Sequence, residues 1–139
     1  MDKTILYIDK INGVTNIHYI DDQNEIVSVS PIKYLNSLCL NELTTLQGRI
    51  DAIKINFNIV KNVPIYIKEN LVLFLTTSRN KIDNMYINSI YIKHIIDEKD
   101  KTRIVFYDDQ FVLVKNSYNT IKNNYEKCLK IKKQINLFY

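Results

Sequence analysis

Residues 74–95, FLTTSRNKIDNMYINSIYIKHI, hold the reading on which the fold turns. Phe74 and Leu75 close the apolar run LVLFL, and MYINSIYIKHI (residues 85–95) is apolar at both odd and even positions. A strand that is apolar on both faces belongs in the middle of a sheet. The second run is therefore read as one long central strand. Between the two runs lies a connection bearing Ser78, Arg79 and Lys81, in a place where a two-residue turn would have closed a hairpin. Cations on a lengthened connection need a reason beyond chain reversal.

Upstream, VPIYIKENLVLFL reads as a hairpin: Val63 to Ile67, a turn at Lys68, Glu69 and Asn70, then Leu71 to Leu75. Pro64 belongs at the beginning or on the edge of its strand. Downstream, TRIVFY and QFVLVK form another hairpin across Asp108 and Asp109. From Ser117, a suitable N-cap, a helix places Tyr118, Ile121, Tyr125, Cys128 and Leu129 in one stripe. Its late lysines suit the negative end of the helix dipole.

At the other end of the chain, KTILYID, VTNIHYI and NEIVSVS are separated by Gly13 and by Asp21, Asp22 and Gln23, which predicts an antiparallel meander serving as scaffold over residues 1–30. Pro31 opens PIKYLNSLCL, a short helix. GRIDAIKINFNIV is ambiguous, because Ile50, Ile53, Phe57 and Val60 fit a helix face while Ile53, Ile55, Phe57 and Ile59 alternate like a strand. Helix is the preferred reading. The fold class is thus α+β, with antiparallel hairpins, a short helix after the meander and a C-terminal helix, over a single domain of 139 residues.

The chain has 46% apolar residues and no run able to span a bilayer, and MDKTILYIDK lacks the features of a secretory signal. A soluble cytoplasmic protein is the expectation. Cys39 and Cys128 are then expected as separate free thiols. The net charge of +4 is spread unevenly: residues 1–48 net −3, whereas residues 49–96 net +4 and residues 111–139 net +5. A basic surface facing a polyanion and an ordinary solvated face account equally well for this pattern. Ile, Asn, Lys and Tyr are abundant, as in an AT-rich genome, so lysine number alone says little. Only three of the nineteen cations are arginine, Arg49, Arg79 and Arg103, and they say more.

Catalysis finds no constellation. His18 and His94 are the only histidines, neither at metal-ligand spacing from another candidate, so no metal or cofactor is expected. There is no glycine-rich phosphate loop and no nucleophile elbow, and Asp21–Asp22 and Asp108–Asp109 read as turn chemistry.

CLNELTTLQGR, KNVPIYI, LVLFLTTSRN, MYINSIYIKHI and NSYNTIKNNYEKC follow one another in an order that resembles the ComK family, the competence transcription factors of Firmicutes. The correspondence lies in Cys39, Gly48 with Arg49, Lys61 with Pro64 and Ile65, Thr76 with Ser78 and Arg79, Tyr86 with Ile87 and Asn88, and Ser117 with Tyr118 and Asn119. It covers roughly residues 31–130. Met85 and Tyr86 stand where a tryptophan is usual, Asp108–Asp109 replaces an Asn-Gly turn, and little chain follows the last helix.

The resemblance implies a DNA-binding activator that recognises AT-rich boxes largely through the minor groove and works as an oligomer, with adaptor or protease regulators by family analogy. The narrow, strongly negative minor groove of A·T tracts admits cations carried on a loop. Arg79 and Lys81 are the leading candidates, with Ser78 as a hydrogen-bond donor. Arg49, beside Gly48 at a helix entrance, is a further candidate contact, and a turn glycine with an ordinary surface arginine accounts for the pair equally well. Lys54, Lys61, Lys93 and His94 are weaker candidates. A solvated loop whose Arg79 stabilises a neighbouring carboxylate is the competing account. The competing function is an interaction module that does not bind DNA and hetero-oligomerises with a longer homologue.

Overall fold

The computed structural model describes residues 3–76 and 84–138. Three strands, β1 (Ile5–Ile11), β2 (Val14–Tyr19) and β3 (Gln23–Val27), form the predicted meander. The β1–β2 turn is Asn12–Gly13, with φ of 50° and 82°. Two successive left-handed residues match the strand twist, which is why Asn-Gly closes this hairpin. Helix α1 (Pro31–Asn41) starts under a Ser30 cap whose hydroxyl accepts from the Lys33 N–H at 3.3 Å. Helix α2 (Leu46–Phe57) starts under Thr45, which accepts from the Gly48 N–H at 2.9 Å. The ambiguous segment is thus helical as far as Phe57; Asn58, at φ 54°, ends the helix, and Val60, expected on its apolar face, lies beyond it and is exposed. Ile50 and Ile53 are buried, whereas Ile55, which only a strand would have turned inwards, is 82% exposed.

Strands β4 (Ile65–Lys68) and β5 (Leu71–Leu75) form the next hairpin. The long strand expected over 85–95 is instead two strands in two sheets. β6 (Tyr86–Asn88) is central in the first, paired with β1 and β5; after a 3-10 turn at Ser89–Tyr91, β7 (Ile92–Asp97) begins the second. The break is made by Asn88, whose buried side-chain amide takes over backbone partners. Its oxygen accepts from the N–H groups of Val72 and Ile90, both at 3.3 Å, and its nitrogen donates to the carbonyls of Ile5 at 2.8 Å and Asn70 at 3.0 Å. A short polar side chain that satisfies four backbone groups lets the chain leave a ladder without orphaning them.

β8 (Thr102–Phe106) and β9 (Phe111–Val114) complete the second sheet, in the order β7-β8-β9; the first runs β3-β2-β1-β6-β5-β4, antiparallel throughout. Helix α3 (Tyr118–Phe138) follows, with the Ser117 hydroxyl accepting from the Thr120 N–H at 3.2 Å. In its stripe Ile121 and Cys128 are buried as expected, but Leu129 is 45% exposed and Asn124 and Ile131 are buried instead.

The first sheet has an apolar core on each face. Leu71, Leu73 and Leu75 pack with Leu35 and Cys39 of α1 and with Leu46 and Ile50 of α2. Val72 and Phe74, which alternate with them, pack with Ile104 and Phe106 of the second sheet and with Ile121 and Cys128 of α3. β5 is buried at every position because both faces are covered. Cys39 and Cys128 are free buried thiols on opposite faces of this sheet.

Candidate nucleic-acid interface

The base of the 77–83 connection is well defined on its described side. Thr76 donates its N–H to the Met85 carbonyl at 3.0 Å, and its hydroxyl accepts from the Met85 N–H at 3.1 Å. Ser78, Arg79 and Lys81 lie outside the described residues. Thr76 also borders a groove of about 610 Å³. The groove has an apolar floor including Ile50, Ile65 and Leu75, and a polar rim that includes Lys54, Lys61, Asn62, Asn116 and Thr120. Asn62 and Thr120 are shared with a neighbouring hollow of about 460 Å³, to which α3 contributes Asn123, Glu126, Lys127 and Lys130.

Four lysines therefore converge from α2, the α2–β4 loop and α3, accompanied by one carboxylate. Among the described residues none of the four forms an ion pair. Lys127 donates from Nζ to the Lys61 carbonyl at 2.9 Å, which ties α3 to the α2–β4 loop. Burial holds its pKa below the usual lysine value. α3 is pinned here a second time by buried Asn124, whose amide donates to the Leu75 carbonyl at 3.1 Å. Four lysines beside a single carboxylate leave this region positively charged.

The other sequence candidates lie elsewhere. Arg49 is half-buried, over the Tyr66 ring at 5.4 Å from its centroid, with Nη2 donating to the Ile67 carbonyl at 3.2 Å. It is not brought together with Lys54 and Lys61. Lys93 and His94 are exposed on β7, and Lys93 pairs with Asp109 at 3.2 Å. They stand beside the Val105–Phe106 end of β8, whereas the groove meets the opposite end, where Thr102 donates to the Asn116 carbonyl at 2.7 Å.

Asp108 latches that far hairpin to the meander: its carboxylate accepts from the Asp21 N–H at 2.8 Å and from the Gln110 side chain, and Gln110 also donates to the Tyr19 carbonyl at 3.0 Å. Burial opposes ionisation of Asp108, yet these hydrogen bonds hold its pKa below the usual value. The turn reading of Asp108–Asp109 was right but incomplete.

Lys127, Lys130 and Asn123, which border the hollow, are not among the sequence candidates. The signal was present, since Thr120, Asn123, Lys127 and Lys130 are spaced by three, four and three residues and share one helix face.

A family model described as ComK protein matches residues 3–137, so the meander is included as well as the stretch from Pro31 onwards. Neither the curated proteins nor the solved structures give a match. The chain belongs to the ComK family, a family of competence-type transcription factors.

Proposed function

We propose that this protein is a DNA-binding activator of the competence type that reads AT-rich duplex mainly through the minor groove, as an oligomer in the cytoplasm. The carrying observation is the convergence of Lys54, Lys61, Lys127 and Lys130, without ion-pair partners among the described residues, beside the base of the connection that bears Arg79 and Lys81. Division of labour follows from chemistry. Lysines act as point charges towards phosphates and fix position, while Arg79 enters the narrow groove and reads its width. Ser78 donates to backbone oxygens or A·T acceptors. One DNA-binding domain over residues 1–139 is sufficient for this arrangement.

Gel shifts with AT-rich and GC-rich duplexes of equal length test the proposal. Arg79→Ala is expected to weaken specific binding by roughly 1–3 kcal/mol and to narrow the AT preference. Lys81→Ala is expected to weaken all sequences alike. A folded Arg79→Ala protein with unchanged affinity and preference rules this connection out as the reader.

The interaction-module reading is favoured by a different observation, the outward face of the second sheet. Ile96, Phe111 and Leu113 are 42%, 50% and 38% exposed there, on a face expected to be polar. Absence of any duplex binding by this chain, together with capture of a longer homologue, would establish that reading instead.

A further inference from the structure

On the other side of α2 from the lysine groove lies a larger cavity of about 1180 Å³. Leu46, Ile50 and Lys54 border the groove, while Arg49, Ile53 and Asn56 border this cavity, so the helix separates the two. Tyr66 and Glu69 close it from the β4 side and Gln134 to Asn136 from the end of α3.

Arg49 is its distinctive group. Apart from the Ile67 carbonyl and the Tyr66 ring, its cation has no counter-charge among the described residues, and its buried Nε–H has no acceptor. Glu69 borders the same cavity without forming an ion pair with it. An unsatisfied buried donor on a partly exposed guanidinium marks strain, function or a missing partner. Ring and carbonyl hold the guanidinium in one orientation, the arrangement that suits planar recognition of an oxyanion.

We propose that this cavity binds a small organic oxyanion, a carboxylate or phosphate monoester carrying an aromatic or aliphatic body. Arg49 supplies the charge, Phe57 and Ile135 receive the apolar body, and Gln134 offers its amide to the polar edge, beside Asn56, whose amide nitrogen also donates to the Ala52 carbonyl at 2.8 Å. At about 1180 Å³ the cavity is somewhat larger than the roughly 300–1,000 Å³ of small-molecule clefts, so a small ligand fills the part of it beside Arg49. Arg49 is then a ligand-binding residue and not a DNA contact.

Calorimetric titration of the full chain with phenyl phosphate, benzoate, benzyl alcohol and inorganic phosphate tests this. One of the two ring-bearing anions is expected to bind saturably and to raise the melting temperature. It should bind on the order of tenfold more tightly than inorganic phosphate, with benzyl alcohol inert. The stronger of the two identifies the head group. Arg49→Met should lose at least roughly tenfold in affinity, whereas Lys54→Ala, on the groove side of the same helix, should retain it.

Because Arg49→Met removes a half-buried side chain, the wild-type protein carries an independent readout. The bound anion should protect Arg49 from phenylglyoxal in peptide mapping and leave Arg103 reactive. No saturable binding by either ring-bearing anion, equal affinity in folded Arg49→Met, or an unprotected Arg49 overturns the site. None of these outcomes bears on duplex binding by the groove.

Discussion

Asn88 shows how much of this architecture rests on single polar side chains. Its two donors and two acceptor positions are all used, on backbone groups of β1, the β4–β5 turn, β5 and the 3-10 turn. Asn88→Ala leaves several of those groups buried without partners, and should cost about 3 kcal/mol or more in urea unfolding. A loss below about 1 kcal/mol would show that the backbone re-pairs by itself. Leu43 presents the opposite case. It follows α1 at φ 63°, with its N–H donating to the Leu40 carbonyl at 3.0 Å, and its side chain is 96% exposed. That left-handed position normally belongs to glycine. Leu43→Gly relieves the steric cost against a smaller gain in chain entropy of the unfolded state, so a stabilisation of about 0.5–1 kcal/mol is expected in the same assay. A destabilised variant would mean that the leucine side chain contributes to packing.

At the level of elements, α3 links core and groove. Cys128 lies on its buried face, where burial pushes the thiol up to about 12, against weaker pulls from the Ser89 hydroxyl and Lys127. The unfolded thiol ionises at its ordinary value of 9.0, so the folded state alone keeps the proton between these values. The contribution of this group to stability is therefore undiminished below pH 9 and falls as pH rises towards 12, by up to about 1 kcal/mol per pH unit. Cys128→Ala should flatten that alkaline slope by this amount; an identical slope would assign the effect to other groups.

Helices, hairpins and turns were largely legible because their signals are local. Pro31, Gly13 and Ser117 each sit where their chemistry demands, at a helix start, a hairpin turn and a helix cap. The division of MYINSIYIKHI was not, because apolarity on both faces fits a central strand and two strands in different sheets alike. Asn88 and Ser89 are the polar pair that marks the break, and three of the four Asn88 partners are distant in sequence. Leu129 was misplaced for a related reason: the buried face of α3 is set by what the sheets offer it, and they bury Asn124 and Ile131.

For the molecule as a whole, the two basic regions of the sequence do meet, but only in part. Lys54 and Lys61 from one and Lys127 and Lys130 from the other share the groove region, whereas Arg49 turns into a separate cavity and Lys93 with His94 face away. Charge counting along the chain sees the totals and not the faces. α3 was read for its apolar stripe, so its polar face escaped notice. The most direct test of the groove as the DNA-facing surface is the salt dependence of binding to an AT-rich duplex, compared between wild type and Lys54→Ala/Lys130→Ala. Every lysine–phosphate pairing that is removed should take about 0.9 from the slope of log K against log salt, so the double variant should be shallower by about 1.8, with its unfolding curve unchanged. A folded double variant with the wild-type slope would contradict the account.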